Sequence, residues 1–324
     1  MKNYPRVTII VSVKNAGNTI EKCVKSLLNL NYPNYKIHIA DAFSTDGTYE
    51  ILKKLILEHP KKIKLERVRG NIATAHNNLI KKTSTDFVAM TDADCTVDKN
   101  WLKYLIRSFT SDDIIAAAGF CSTPKDVNRL QQLIGMELEN RFKKFPEFIS
   151  RAPTMNLCVR TDIAKKIKID ERFDVAQETD WGYRLTKLGK MIYVPKAVVY
   201  HYHRSTLKNY FMQRFRYARA IPLLYFKHKN KLKGDHILKP IMIIEEIVFL
   251  FFSFFILVSF FYNIFFFYAI ILFFSLLSLY FIDILTFTKR PQDAFSLIFL
   301  YLLRNTAWTI GVTFGIFNLI LKLF

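Results

Sequence analysis

Residues Asp86–Cys95 read DFVAMTDADC. Phe87-Val88-Ala89-Met90 is a short, wholly apolar run, the pattern of a strand buried on both faces of a parallel sheet. The run stops at Thr91-Asp92-Ala93-Asp94. Two carboxylates one residue apart at the end of a buried strand are costly unless a cation sits on them. In open α/β sheets the carboxyl ends of the strands are where ligands bind. Hard divalent ions take oxygen ligands, commonly one or two carboxylates, with substrate phosphates completing the shell. An Asp-x-Asp so placed predicts a site for a metal–diphosphate. The competing reading is a polar loop in which Thr96 or Asp98 starts the next helix.

Outward from this segment, the N-terminal half alternates strand and helix patterns. Val7–Val13, Tyr35–Ala40 and Ile63–Val68 read as strands, and Asn18–Leu30, Tyr49–His59 and Asn71–Lys82 as helices with one apolar face each. Repetition at this spacing predicts a parallel sheet with right-handed crossovers. No G-x-G-x-x-G follows the first strand, so the fingerprint of a dinucleotide-binding dehydrogenase is missing. Ile114–Gly119 predicts a further strand. Asn128–Lys144 predicts a charged helix with Leu130, Leu133, Ile134, Leu138 and Phe142 turned inward.

The chain of 324 residues is 51% hydrophobic, contains 30 Phe and carries a formal charge of +20. Its length suggests about two domains. Phe crowds into the last quarter. Cys23, Cys95, Cys121 and Cys158 lie far apart without paired or metal-like spacing, which points to a reducing compartment rather than a disulfide framework. The opening MKNYPRVTIIVSV has too short an apolar run for a signal peptide.

Residues 7–48, VTIIVSVKNAGNTIEKCVKSLLNLNYPNYKIHIADAFSTDGT, followed by TDAD, resemble the nucleotide-sugar half of a family 2 glycosyltransferase with the GT-A fold. The resemblance implies that Asp41 contacts the donor base, with Ala42 standing where the motif usually has a second Asp. Asp46 falls on the motif's last acid, where a turn-and-cap role before Gly47-Thr48 competes. Asp92 would lie near the ribose and metal, and Asp94 would bind the metal, with further donor contacts at Val11, Arg69 and Asn77. His76 replaces an Arg more usual in the family. Pro153-Thr154-Met155-Asn156 resembles the small-residue turn near the family's acceptor site. In AQETDWGYRL, Ala176–Leu185, setting Arg184 on the Arg of the family's E-D-x-D-L-x-x-R-L puts Glu178 on the catalytic base and Asp180 on the second Asp. Gln177 then replaces the preceding Glu. A helix N-terminus, where acids interact well with the dipole, is the competing reading of both.

Val198-Val199-Tyr200 reads as a strand leading into His201 and His203, which alternation puts on one face with Tyr202 on the other. In some relatives a His here is a third metal ligand, and neutral imidazole suits that role. The ligand set implied for Mg²⁺ or Mn²⁺ is therefore Asp92, Asp94 and His201, with His203 a satisfied surface side chain.

From Arg204 to Lys239, ten Lys and Arg face a single acid, Asp235, and Leu207, Phe211, Phe215, Ala218 and Pro222 form a stripe at helical spacing. A basic amphipathic helix of this kind is expected on an anionic membrane surface. Within it, Gln213-Arg214-Phe215-Arg216-Tyr217 resembles the family's QxxRW signature, which implies roles for Gln213, Arg216 and Tyr217 at the diphosphate and acceptor. Nucleic acid also attracts such charge, but no RNA-binding motif accompanies it. Ile247–Ile282 has no charged residue. At about 1.5 Å per residue that is too long for one span of a hydrocarbon core of about 30 Å, and Tyr262-Asn263 suits a turn between two spans. Ala294–Leu321 gives a third, whose Arg304 is expensive against lipid and should face other helices. Gly311 and Gly315 have small-residue spacing for helix contact.

The predicted architecture is α/β: a GT-A catalytic domain with a mainly parallel sheet over residues 1–204, then a basic interfacial helix and linker over 205–239. A transmembrane region follows over 240–324, with spans at about 243–262, 264–284 and 294–321. The resemblance and the spans together predict an inverting, metal-dependent glycosyltransferase whose catalytic domain faces the cytoplasm, in agreement with the positive-inside rule. It would move a sugar from a nucleotide-sugar donor to a lipid-linked acceptor. A processive polysaccharide synthase and an inert nucleotide-sugar binder are the alternatives.

Overall fold

A computed structural model describes residues 4–321. The chain forms two compact units. One comprises the residues up to Asp126 together with Phe142–His203, the other Val127–Arg141 together with the residues from Arg204 onward.

In the first unit, β-branched and apolar runs give β1 (Val7–Val13), β2 (Tyr35–Asp41), β3 (Ile63–Arg67) and β4 (Phe87–Met90). These strands are parallel to one another, as strand–helix alternation requires, with α1 (Ile20–Leu28), α2 (Thr48–Glu58) and α3 (Ile72–Lys82) as crossovers. Asn71 caps α3, its side chain accepting from the Thr74 N–H at 3.0 Å. Among the described residues eight strands make one sheet, in the order β3-β2-β1-β4-β7-β6-β8-β5. The second half of that sheet is mixed. β7 (Leu157–Arg160) runs antiparallel to both β4 and β6 (Ile114–Ser122), and β8 (Lys190–His201) is parallel to β6. The short β5 (Cys95–Val97) pairs antiparallel with β8. It occupies the place where a helix-capping loop was the competing expectation.

β6 and β8 slip register between Gly119 and Phe120. A Cβ on Gly119 would lie 2.0 Å from the Ala197 carbonyl oxygen, so only glycine fits there. The carbonyls left over at the slip, those of Phe120 and Ala197, each accept from the Asn156 amide at 2.9 Å, and Trp101 Nε1 donates to Asn156 Oδ1 at 2.8 Å. The Pro153–Asn156 turn thus serves to seat Asn156 in this irregularity. Buried backbone carbonyls need such partners. Short helices α4 (Trp101–Arg107) and α6 (Thr161–Lys166) and the helix α7 (Gln177–Leu185) complete the unit.

The second unit consists of α5 (Arg129–Phe142, of which residues 129–141 belong here), α8 (Leu207–Lys227), α9 (Pro240–Ser259), α10 (Ile264–Leu285) and α11 (Pro291–Leu321). Among the described residues α9, α10 and α11 are the helices long and apolar enough to cross a membrane. Tyr262 lies in the turn between α9 and α10, as the charge-free run predicts. Two expectations need correction. The stripe on α8 is not all free for lipid. Ala218 is fully buried and Phe215 stacks edge-on to Phe314, 5.9 Å between ring centroids. Gly311 and Gly315 of α11 meet α8 so closely that added Cβ atoms would lie 2.6 Å from the Phe215 carbonyl oxygen and 2.4 Å from that of Arg219. The small-residue spacing is therefore a helix–helix contact. Within the basic stretch the helix is α8, which ends at Lys227; in the segment after it Asp235 forms a turn, accepting from the Ile237 and Leu238 N–H groups.

The second correction concerns α5. Its stripe lies within the residues expected to form the catalytic domain, but Leu133 and Ile134 pack into the helical core with Tyr210, Phe249, Leu276 and Leu300. Glu137 accepts from Arg304 at 3.2 Å and from Arg141 at 3.2 Å, while Arg304 reaches Glu245 and Asn305. Burial works against the charge of Glu137, and Arg141, Arg304 and Arg214 outweigh it, holding its carboxyl below the usual range. Removing one member of a buried pair leaves the other charge uncompensated, at about 3–5 kcal/mol. Glu137→Ala is therefore expected to lower the stability of the detergent-solubilised protein by about that much, seen as a fall in thermal midpoint. A midpoint equal to wild type would show that Arg304 is satisfied without Glu137.

Candidate active site

β1 lies between β2 and β4, and the three parallel strands end on one edge. The register pairs Val13 with Asp41 and Ile10 with Met90, so Asp41 and the Thr91–Asp94 segment flank the end of β1 from opposite sides. This is the switch point at which open α/β sheets bind ligands. The loop after β1 is braced from the β2 side. The Asn15 N–H donates to Ser44 Oγ at 2.9 Å, that of Ala16 to Thr48 Oγ1 at 2.8 Å, and that of Gly17 to Asp46 Oδ2 at 2.9 Å. Asp46 thus acts as turn and brace.

Asp41 is fully buried; it accepts from the Ser44 N–H and from Arg67 Nε at 3.3 Å. Arg67 lies over the rings of Phe43 and Tyr49 at 4.4 and 4.3 Å, and Arg69 over Phe43 at 5.1 Å. Arg69 thus shares the Phe43 ring with Arg67, the residue that pairs with Asp41. Arg67 and Phe43 were missed. Their signal is the parallel register Asp41↔Arg67, which spacing along the chain does not disclose.

Two expected donor contacts are otherwise engaged. Val11 is fully buried within the core cluster, which leaves its side chain no face toward a ligand. The Asn77 amide donates to the Ile169 carbonyl and to Glu171, and its oxygen accepts from the Ile169 N–H. It ties α3 to the loop before α7. His76 is fully buried with no hydrogen-bond partner on either ring nitrogen among the described residues, and burial pushes its pKa down to about 4. It is a neutral core residue.

Asp92 and Asp94 are partly exposed at the β4 edge. The Cys95–His201 pairing of β5 with β8 brings His201 Nε2 to 3.5 Å from Asp94 Oδ1. Burial disfavours the imidazolium of His201, but the Asp94 carboxylate overrides it, and the pKa is raised to about 10. A potential that negative suits a divalent cation, and two carboxylates with one imidazole are a donor set that Mn²⁺ or Mg²⁺ accepts. His203 is not a surface residue. It is buried, hydrogen-bonds Thr123 Oγ1 at 3.2 Å and meets the His201 ring edge-on at 4.6 Å.

On α7, Ala176 precedes the helix at φ 62°, a left-handed conformation strained for a residue with a Cβ. Asp180 is fully buried and accepts from Arg184 Nε at 2.8 Å. Glu178 is buried on another side of the same helix, at 7% exposure. Gly182 lets Arg151 approach, since a Cβ there would lie 2.7 Å from Arg151 Cα, and Arg151 donates to Thr179 Oγ1 at 2.9 Å. Gln213, Arg216 and Tyr217 lie on α8 of the second unit, Gln213 half-buried and the other two exposed.

A mainly parallel, partly mixed sheet with an Asp-x-Asp at its carboxyl edge is an architecture of the GT-A type. Residues 8–169, half of the chain, match the family model described as glycosyl transferase family 2, and the chain belongs to that family. It is 24% identical over 280 residues to a probable glycosyltransferase, YdaM, of Bacillus subtilis, covering 78% of this chain and 64% of the relative. It is 35% identical over 117 residues to a beta-monoglucosyldiacylglycerol synthase of Nostoc, covering 35% of this chain and 25% of that protein. The chain thus spans less than two-thirds of the length of these relatives. A solved structure of similar fold is the mannosyltransferase PcManGT of Pyrobaculum calidifontis in complex with GDP-Man and Mn²⁺. Its TM-score is 0.64 at 15% identity, covering 98% of this chain and 88% of that one.

Proposed function

We propose that this glycosyltransferase is a membrane-anchored, inverting, metal-dependent enzyme that transfers a sugar from a nucleotide-sugar donor to a lipid-linked acceptor at the cytoplasmic face. The observation that carries the reading is the joining, in one chain, of an Asp-x-Asp edge to a basic helix and three helices of membrane-spanning length. A similar structure holds GDP-Man and Mn²⁺, and one relative is a glycolipid synthase, which supports a sugar nucleotide, a divalent ion and a lipid acceptor. Asp41, with Arg67 beside it and Arg69 over the Phe43 ring, would receive the donor base. Asp92, Asp94 and His201 would hold the ion. When bound, the ion neutralises the charge that develops on the leaving diphosphate. The acceptor hydroxyl gives its proton to the Glu178 carboxylate as its oxygen bonds the anomeric carbon and the bond to the diphosphate breaks on the opposite face. The configuration therefore inverts. The family resemblance assigns Gln213, Arg216 and Tyr217 to the diphosphate and acceptor.

Membranes containing the protein, supplied in turn with radiolabelled sugar nucleotides, are expected to move label from one of them into the organic-solvent-extractable fraction, and only with Mn²⁺ or Mg²⁺ present. Label in water-soluble polymer alone would overturn the lipid acceptor. Full transfer in excess chelator would overturn the metal.

A further inference from the structure

The β5–β8 ladder brings together side chains that spacing along the chain conceals. Cys95 is the direct cross-strand partner of His201. Opposed residues of an antiparallel pair share a face, with Cβ atoms about 4.5–5.5 Å apart. Asp94 precedes Cys95, and one donor atom from each of Asp94, Cys95 and His201 falls within 4.8 Å of the other two. The Cys95 thiol is 3.8 Å from Asp94 Oδ1, and Cys121 lies on the neighbouring β6, opposite Val199 of β8. Among the described residues all four cysteines are free. Buried cysteine usually acts as a small apolar filler. Cys95 instead faces a carboxylate and an imidazole.

Building on the reading of the Asp-x-Asp edge given above, we propose that Asp94, Cys95 and His201 form a site for Zn²⁺, overlapping the place of the catalytic ion and silencing transfer when filled. Hard ions such as Mg²⁺ and Mn²⁺ take oxygen from Asp92, Asp94 and a diphosphate, and have little use for sulfur. Zinc takes thiolate, imidazole and carboxylate together, typically with three protein ligands and a fourth position left to water or substrate. It also binds a given N/O/S set more tightly than Mn²⁺ does. On binding, the Cys95 S–H gives its proton to solvent and an S–Zn bond forms, with no change of oxidation state. Both ions compete for Asp94, so occupancy by zinc excludes the productive arrangement.

The test uses the full-length protein in detergent with Co²⁺ as the probe, because cobalt bound by thiolate shows an intense near-ultraviolet charge-transfer band that oxygen-only ligation lacks. The wild-type protein is expected to show the band with one equivalent of Co²⁺, and Zn²⁺ is expected to bleach it. Cys95→Ser and Cys95→Ala should each lose the band and weaken Zn²⁺ binding, measured against a chromophoric chelator, by at least about tenfold. No charge-transfer band in the wild type would overturn the proposal without recourse to any variant. So would a band that survives Cys95→Ser but disappears in Cys121→Ser. The outcomes also separate this site from the proposed function. A zinc-sensitive band in a protein that turns over no sugar nucleotide would overturn the functional reading and leave the zinc site standing. Metal-dependent transfer without the band would do the reverse.

Discussion

Asp94→Ala is expected to abolish divalent-ion-dependent transfer, lowering turnover by about 10³-fold. A metal ion at a leaving diphosphate stabilises the transition state by several kcal/mol, and about 1.4 kcal/mol corresponds to each tenfold in rate. Asp94 is the carboxylate against which His201 is set at 3.5 Å, so its loss would remove one proposed ligand and the partner that positions another. The loss should be visible apart from catalysis, as weakened Mn²⁺ binding by calorimetry. Asp92→Ala leaves the Asp94–His201 contact in place and should retain more of that binding. Wild-type activity of Asp94→Ala, in the presence of chelator, would remove the metal from the mechanism.

The second large effect is expected at α7. Acceptor hydroxyls are poor nucleophiles, so a carboxylate must take the proton as the new bond forms, a contribution of about 10²–10⁴-fold. Glu178 and Asp180 are two residues apart on a helix, about 200° round the axis at about 3.6 residues per turn, so both cannot point at one atom. Asp180 is fully buried and held by Arg184 in an i,i+4 ion pair. That pairing suits it to fixing the helix rather than accepting a substrate proton. Glu178→Gln should therefore keep donor and metal binding and lose transfer by about 10²-fold or more. Asp180→Asn should chiefly lower thermal stability, because it replaces the charged acceptor of Arg184. If calorimetry shows the donor bound by both variants, and only Asp180→Asn fails to transfer, Asp180 is the base.

Much of the first unit was legible in the sequence because local pattern and tertiary environment agree there. The buried run Phe87–Met90, the β-branched Val7–Val13 and the one-sided apolar faces of α1 to α3 each specify an element directly. The charge-free run across α9 and α10 and the turn near Tyr262 were equally plain. What escaped depends on pairing between distant segments. Three residues of β5 carry too little pattern to be read as a strand, so the pairing of Cys95 with His201 stayed hidden, as did that of Arg67 with Asp41. An apolar stripe states which face of a helix is covered but not by what. Sequence alone therefore assigns the stripe of α5 to the catalytic domain and that of α8 to lipid, whereas both are covered in part by other helices. Asn77 had the residue type of a ligand contact, yet its amide is used on the neighbouring Ile169 backbone.

The placement of α5 bears on how the protein is made. Its segment leaves the ribosome ahead of α7, whereas Arg304, to which Glu137 pairs, is translated 167 residues later. Domains generally fold as units during synthesis. Here one unit is interrupted by a segment whose apolar face must wait for helices made much later. A stop codon placed before Pro240 to obtain a soluble catalytic fragment would take the cover of Phe249, Leu276 and Leu300 from Leu133 and Ile134, and Arg304 from Glu137. A soluble fragment therefore calls for replacing residues 127–141 with a short polar linker as well as trimming the tail.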